Sequence, residues 1–337
     1  MLEKAEYELI DFGAGRRLER FKDLILDRPC PTALGIRQGA QNQWKEADAI
    51  FVERKRESKN SPKATTSSFG FRGYWRPITT RGAYYFPEIA ENSACDNATE
   101  PMQATQSWEL AVGGLFLLEL KGSPFGHLGV FPEQSSNWRR IYDLCCEGRE
   151  KLGRPLRVLN LFGYTGGSAL AALAARAETT HLDAARNIVA QAKRNASLSF
   201  PEAAANGDGI VARWIVDDAV KFVKRELKRE SRYDAIILDP PTYGHGARGE
   251  VWRLARDLEP LLANCARALN DSFSFIMLTG HTQGFEAHVL ERMLRSSLSA
   301  RFGASAAKGE YLSQPLGIRS KFNGVLPCGD LALAVLR

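Results

Sequence analysis

Two segments of this chain constrain its fold more than any other feature. Val158-Leu-Asn-Leu-Phe-Gly-Tyr-Thr-Gly-Gly-Ser168 reads as a buried strand that breaks into a glycine turn and then opens a helix rich in alanine and leucine. Ile236-Ile-Leu-Asp-Pro-Pro-Thr-Tyr243 reads as a second apolar strand that ends on an acid, two prolines and an aromatic ring. Either signal alone is weak. In this order and at this separation they point to a Rossmann-like sheet, in which ligands sit outside the carboxyl ends of the strands where strand order reverses.

The rest of the chain agrees with that sheet. Strands are expected at 157–162, 179–183, 209–216, 235–239 and 273–278, with helices at 168–177, 184–198, 218–230 and 251–269. Such alternation argues for parallel strands with helices on both faces. Glu310-Tyr-Leu and Leu331-Ala-Leu-Ala-Val-Leu336 are expected to add strands at the sheet edge. The first third reads differently, as a small β-rich part. Tyr7-Glu-Leu-Ile-Asp-Phe12 and Lys22-Asp-Leu-Ile-Leu26 are short alternating runs around a turn at Gly13-Ala-Gly15, and Arg28-Pro-Cys-Pro31 closes that hairpin. Further strands are expected at 49–52, 70–75 and 113–120, and a polar, basic, proline-broken loop at 53–63. A linker is expected near 121–125, followed by a helix from Ser135. Two domains follow: residues 1–124, β-rich and suited to substrate recognition, and residues 125–337, the Rossmann-like part. A length of 337 residues suits two domains.

Composition excludes several classes. No apolar run approaches the ~20 residues of a membrane span, and Met1-Leu-Glu-Lys-Ala-Glu lacks the apolar core of a secretory leader. The six cysteines are scattered apart from the vicinal Cys145-Cys146, and none has zinc spacing, so free thiols in a cytoplasmic protein are expected and no metal. A net charge of +6 permits a nucleic-acid partner without requiring one.

The candidate site is built from strand ends. Gly163 and Gly166-Gly167 follow the first strand and let backbone amides approach a ligand. Their Gly-x-x-Gly-Gly spacing differs from the Gly-x-Gly-x-x-Gly that favours a pyrophosphate, which disfavours a nicotinamide cofactor and fits the amino-acid portion of S-adenosylmethionine. Asp183 ends the second strand, where an acid accepts from ribose hydroxyls or caps the next helix. Asp217-Asp218 end the third. Asp218, followed by Ala219, has the better form for receiving an adenine amino group, leaving its neighbour to cap. Asp239-Pro-Pro-Thr-Tyr243 is the sharpest element. Prolines donate no backbone hydrogen bond, so a carboxylate and rigid, unpaired carbonyls would orient an amino group, with Tyr243 stacking on a flipped base. His127, His245 and His281 sit in glycine-containing loops and read as surface or structural residues, His245 being the most suggestive. His181 and His288 read as structural.

Asn160-Leu-Phe-Gly-Tyr-Thr-Gly166, Asp239-Pro-Pro-Thr-Tyr243 and Gly126-His-Leu-Gly-Val-Phe-Pro-Glu-Gln134 together resemble the bacterial large-subunit ribosomal RNA methyltransferases of the RlmI and RlmK type. The resemblance covers residues 125–284 specifically and the ends more loosely. It implies a class I methyltransferase domain behind a small β-rich part. It also implies S-adenosylmethionine held by Gln134, Asn160, Phe162, Gly163, Tyr164, Thr165, Gly166, Asp183, Asp218, Ala219 and Asp239, with Asp239, Pro240 and Tyr243 at the substrate. The chain departs from that pattern in two places. Phe131-Pro-Glu-Gln134 stands where relatives often have Leu-Asp-His-Arg or Leu-Asp-Gln-Arg, and Leu278-Thr-Gly-His-Thr-Gln-Gly284 lacks the cysteine of the cytosine C5 type. The N-terminal part does not resemble a PUA module. Methylating carbon 5 of a pyrimidine needs a thiolate, so direct transfer to a base nitrogen of RNA is expected. The rival readings are a methyltransferase acting on a protein or small molecule, a nicotinamide-dependent oxidoreductase, and a non-catalytic RNA-binding protein. Oligomeric state is not legible.

Overall fold

The first strands of the chain bury charge, which hides one of them from pattern reading. The computed structural model describes residues 2–39, 41–54, 72–88, 105–201, 212–246 and 249–337. Strands β1 (Tyr7–Gly13), β2 (Arg16–Phe21), β3 (Leu24–Pro29), β4 (Ala49–Glu53) and β5 (Gly73–Pro77) form one sheet in that order. All neighbours pair antiparallel except β3 with β4. Where a single hairpin is expected between 7–12 and 22–26, the chain inserts β2. Its Arg-Arg-Leu-Glu-Arg sequence looks like a solvated turn, yet Glu19 is fully buried. Arg28 Nε donates to Glu19 at 2.5 Å and Tyr7 Oη donates to it at 2.9 Å, while Arg17 Nε lies 3.2 Å away. A buried carboxylate persists only when paired and hydrogen-bonded, and these three groups hold the Glu19 carboxyl below its ordinary range against the opposing effect of burial. The basic 55–63 stretch and the start of the expected 70–75 strand lie outside the described residues.

Strands β6 (Ser107–Val112) and β7 (Phe116–Lys121) form a separate antiparallel hairpin. The expected strand at 113–120 is therefore half of a pair, because Gly113 and Gly114, with φ of 53° and 67°, make the turn. The hairpin is bolted to the helix Arg186–Ser199. Asn195 Oδ1 accepts the Glu119 N–H at 2.9 Å, and Ser199 Oγ bonds both backbone groups of Leu117. The 121–125 segment is tied down as well: Gly73 N–H donates to Pro124 O at 2.9 Å and Trp75 Nε1 to Ser123 O at 3.1 Å. One apolar cluster runs from Tyr7, Phe51 and Trp75 through Leu110 and Leu118 to Leu170 and Phe275.

The second large sheet carries the site. Its strands are β8 (Arg157–Leu161), β9 (Glu178–Asp183), β10 (Ala212–Val216), β11 (Ala235–Leu238), β14 (Ser274–Gly280), β15 (Glu310–Arg319) and β16 (Val325–Leu336), in the order β10-β9-β8-β11-β14-β16-β15. The first five run parallel, and β16 is antiparallel to both its neighbours. This is the Rossmann-like α/β sheet expected, preceded by a β-rich part. The chain order reverses between β8 and β11, where Leu161 and Leu238 are in register. The glycine loop and the acid-proline loop therefore leave the sheet side by side.

Further elements differ from expectation in this part. The 331–336 segment lies inside the sheet rather than at its edge, since β16 pairs with both β14 and β15; residues 331–336 are all buried. The 251–269 helix begins later, at Leu254, and runs to Ala268. Residues Val251–Arg253 form strand β13, paired with β12 (Tyr243–His245). Among the described residues no helix is long and apolar enough to cross a membrane.

Candidate active site at the switch point

The loop after β8 is built on positive φ angles. Phe162, Tyr164 and Gly166 have φ of 54°, 49° and 100°, a conformation costly for the two aromatic residues and persistent only where neighbours over-determine it. Asp183 is one such neighbour. Its Oδ2 accepts the Tyr164 N–H at 3.1 Å, and its Oδ1 accepts the Ala185 N–H at 2.9 Å. Burial outweighs those bonds and raises the Asp183 carboxyl above its ordinary value. Thr165 donates to Gly129 O at 2.7 Å, and Asn195 Nδ2 donates to Thr165 O at 2.9 Å, so the β6–β7 hairpin and the glycine loop share one anchor. Position 163 admits only glycine: a Cβ there would lie 2.4 Å from His181 Cε1 and 2.6 Å from Asn160 Nδ2. His181 is fully buried and in contact with Asn160 at 3.4 Å, and burial lowers it to about 4, which keeps it neutral.

Asp218 is the N-cap of the helix Ala219–Lys228, with Oδ1 accepting the Lys221 N–H at 2.8 Å. The cap expected of Asp217 thus falls to Asp218, the residue expected at adenine, while Asp217 bonds Arg225 and the Asp218 N–H. Ala219 is buried at the helix start.

The decisive cluster surrounds Asp239. Thr279 Oγ1 donates to its Oδ1 at 2.5 Å, His281 Nε2 lies 3.2 Å from the same oxygen, and Gln134 Nε2 donates to Oδ2 at 3.3 Å. Gln134 is fixed by Asn137, which donates to its Oε1 at 2.8 Å. Burial acts to raise the Asp239 carboxyl, but the charge and hydrogen bond of His281 and the Thr279 bond prevail and hold it below its ordinary range. The side chain keeps 32% of its exposure, enough to be reached from outside. His281 lies at the surface, as the sequence suggests, with 39% of its side-chain exposure kept, and it is also a partner of Asp239; only the fold brings β14 beside β11. Its neighbour across the loop is Cys328, whose Sγ donates to Leu326 O at 3.3 Å and is pushed up to about 12, chiefly by burial.

The two prolines behave differently from expectation. Pro240 is buried, and the Pro241 carbonyl is paired, accepting from Trp252 Nε1 at 2.7 Å. That bond and the β12–β13 pairing hold residues 243–245 against residues 251–253. Trp252 packs on Phe162 at 4.9 Å between ring centroids, joining the acid-proline loop to the glycine loop. Tyr243 is half-buried, edge-on to His245 at 5.1 Å.

A solved S-adenosylmethionine-dependent methyltransferase from Agrobacterium tumefaciens matches this chain at 31% identity and a TM-score of 0.77, over 99% of this chain and 91% of that one. The chain belongs to the S-adenosylmethionine-dependent methyltransferases. Among curated proteins, this methyltransferase is 30% identical over 209 residues to a ribosomal RNA large subunit methyltransferase of Deinococcus radiodurans, covering 55% of this chain and 45% of the relative. It is 32% identical over 161 residues to the ribosomal RNA large subunit methyltransferase K/L of Shewanella baltica, covering 47% of this chain and 20% of that one. The methyltransferase therefore spans less than half the length of these curated relatives. No protein-family model matches it.

The residues present fit the cofactor. The turn from Gly163 to Gly166, whose Gly163 and Gly166 N–H groups donate to Leu182 O and Gly163 O, and the Asp183 carboxylate lie at the same sheet end as Asp218 and Asp239. Asp183 is half-buried at the end of β9, with its carboxyl raised by desolvation, and a perturbed carboxyl in such a place is a candidate site residue.

Proposed function

We propose that this methyltransferase transfers a methyl group to a nitrogen of a base in RNA, with ribosomal RNA as the substrate class. S-adenosylmethionine supplies an electrophilic methyl group on a sulfonium when bound. Asp183 accepts from the ribose hydroxyls, Asp218 and Ala219 meet the adenine, and the 162–166 loop, with Asn160 beneath it and Gln134 beside it, holds the amino-acid portion. Asp239 accepts an N–H of the target base and orients its nitrogen. Its lowered pKa suits an orienting acceptor rather than a store for protons. Tyr243, at the mouth of the β12–β13 hairpin, stacks on the base, and buried Pro240 fixes the backbone between them.

The observation that carries this reading is the Asp239 carboxylate at the switch point, which accepts from Thr279 and Gln134 and lies against His281. The names of the curated relatives support RNA as the substrate. The thiol of Cys328, protonated at neutral pH and turned to Leu326 O, supports attack by nitrogen without an enzyme-bound intermediate. Residues 1–124 serve RNA recognition and residues 125–337 catalysis. The test is tritiated methyl transfer to ribosomal RNA purified from a strain lacking the gene, followed by nucleoside mass spectrometry. A methylated nitrogen in one nucleoside is expected. Label in protein or small molecules with none in RNA would overturn the substrate, and a 5-methylpyrimidine would overturn the atom.

A further inference from the structure

We propose that His281 is a positioning residue that, as an imidazolium, clamps the Oδ1 edge of Asp239 and so presents Oδ2 to the substrate. The inference rests on the reading of Asp239 as the substrate's acceptor. Its first support is the pairing of both ring nitrogens. His281 Nδ1 lies 2.5 Å from Cys328 O, and Nε2 lies 3.2 Å from Asp239 Oδ1. A carbonyl oxygen only accepts, so Nδ1 carries a hydrogen. A neutral ring would then turn a lone pair on Nε2 towards a carboxylate oxygen, and a protonated ring donates at both ends. The second support is the count at the carboxylate. Oδ1 already accepts from Thr279 at 2.5 Å, and with His281 its two lone pairs are taken. Oδ2 has the single, longer bond from Gln134 at 3.3 Å and keeps capacity for a donor from the base. The third is a space left for the ring. A Cβ on Gly329, whose φ is +125°, would lie 2.5 Å from both His281 Nδ1 and Gly280 O.

The charged and titratable groups facing His281 come from three elements. Asp239 follows β11, Glu133 lies in the short 3₁₀ turn Pro132–Gln134, and Cys328 belongs to β16. Desolvation by the surrounding loops opposes the charge on this partly exposed ring, and Asp239, with Glu133 and the Cys328 carbonyl, outweighs it, raising His281 to about 9. The clamp is therefore complete at neutral pH and lost as the pH rises through about 9, the direction of an alkaline limb in the rate.

Two measurements test the clamp. The first needs no RNA: ¹⁵N spectra of histidine-labelled protein with S-adenosylhomocysteine, followed as the pH is raised. His281 is expected to hold protons on both nitrogens at neutral pH and to titrate near 9, and Asp239→Asn to return it towards about 6.5. Titration near 6.5 in the unmodified protein, or no change in Asp239→Asn, overturns the proposal. The second is single turnover on ribosomal RNA at saturating cofactor. His281→Ala is expected to lose rate roughly tenfold to a hundredfold, with cofactor affinity kept, and to regain part of it when imidazole is added below its pKa. Full rate in His281→Ala, or a wild-type rate that stays flat well above pH 9, overturns it. If unmodified protein methylates no RNA, the substrate reading fails, and the spectra still decide the state of His281.

Discussion

Replacing Asp183 by alanine separates its two duties. In the folded protein the carboxylate accepts the Tyr164 N–H at 3.1 Å and the Ala185 N–H at 2.9 Å. Hydrogen bonds to charged groups contribute about 1.5–3 kcal/mol each when fully formed and enclosed. Asp183 is half-buried, so water can replace part of what is lost, and a total near 2 kcal/mol of stability is expected from this range. The cofactor loses a different set. Two ribose hydroxyls that no longer find a carboxylate lower affinity by about 1–3 kcal/mol, a factor of roughly 5 to 150. Urea denaturation reads the first quantity, and calorimetric titration with S-adenosylmethionine reads the second. Because the Asp183 carboxyl is raised by burial, affinity in the unmodified protein should also fall with acid at a pH above the ordinary carboxylate range, and the Ala variant should lack that limb. A variant that loses stability yet binds the cofactor as tightly as wild type would refute the ribose assignment and leave Asp183 as an architectural brace of the glycine loop.

Three further outcomes are expected. Gly163→Ala should cost about 1–3 kcal/mol through overpacking, since a Cβ 2.4 Å from buried His181 has nowhere to go; equal denaturation midpoints would contradict the cradle. Asp239→Ala should cut single-turnover rate far more than cofactor affinity, and Tyr243→Ala should lose about 1–3 kcal/mol of base stacking; normal rates in both would remove the 239–243 loop from the substrate. Cys328→Ser should stay active and RNA carrying 5-fluorocytidine should form no adduct, because a thiol at about 12 supplies little thiolate at neutral pH; a gel-stable adduct absent from the Ser variant would reassign the chemistry to carbon.

Local chemistry determined the sheet and the place of the site. A glycine turn after an apolar strand and an acid followed by prolines are short-range signals, because backbone φ and the absence of a side chain are properties of the residues themselves. Those signals located Gly163, Gly166, Asp183, Asp218 and Asp239 at strand ends, and the alternation of apolar runs placed most of the parallel strands. Tertiary structure alone decided what holds Asp239. Its partners Gln134, Thr279 and His281 lie 105, 40 and 42 residues away in the chain, and no period or spacing links them. The same reason hid β2, where burial of Glu19 depends on Arg28 from the next strand, and the interior position of β16, where pairing partners are set by the order of the sheet. A histidine in a glycine loop looks the same in sequence whether it meets water or a carboxylate. Packing of β14 against β11 and of Cys328 against the ring is what makes His281 a partner of Asp239.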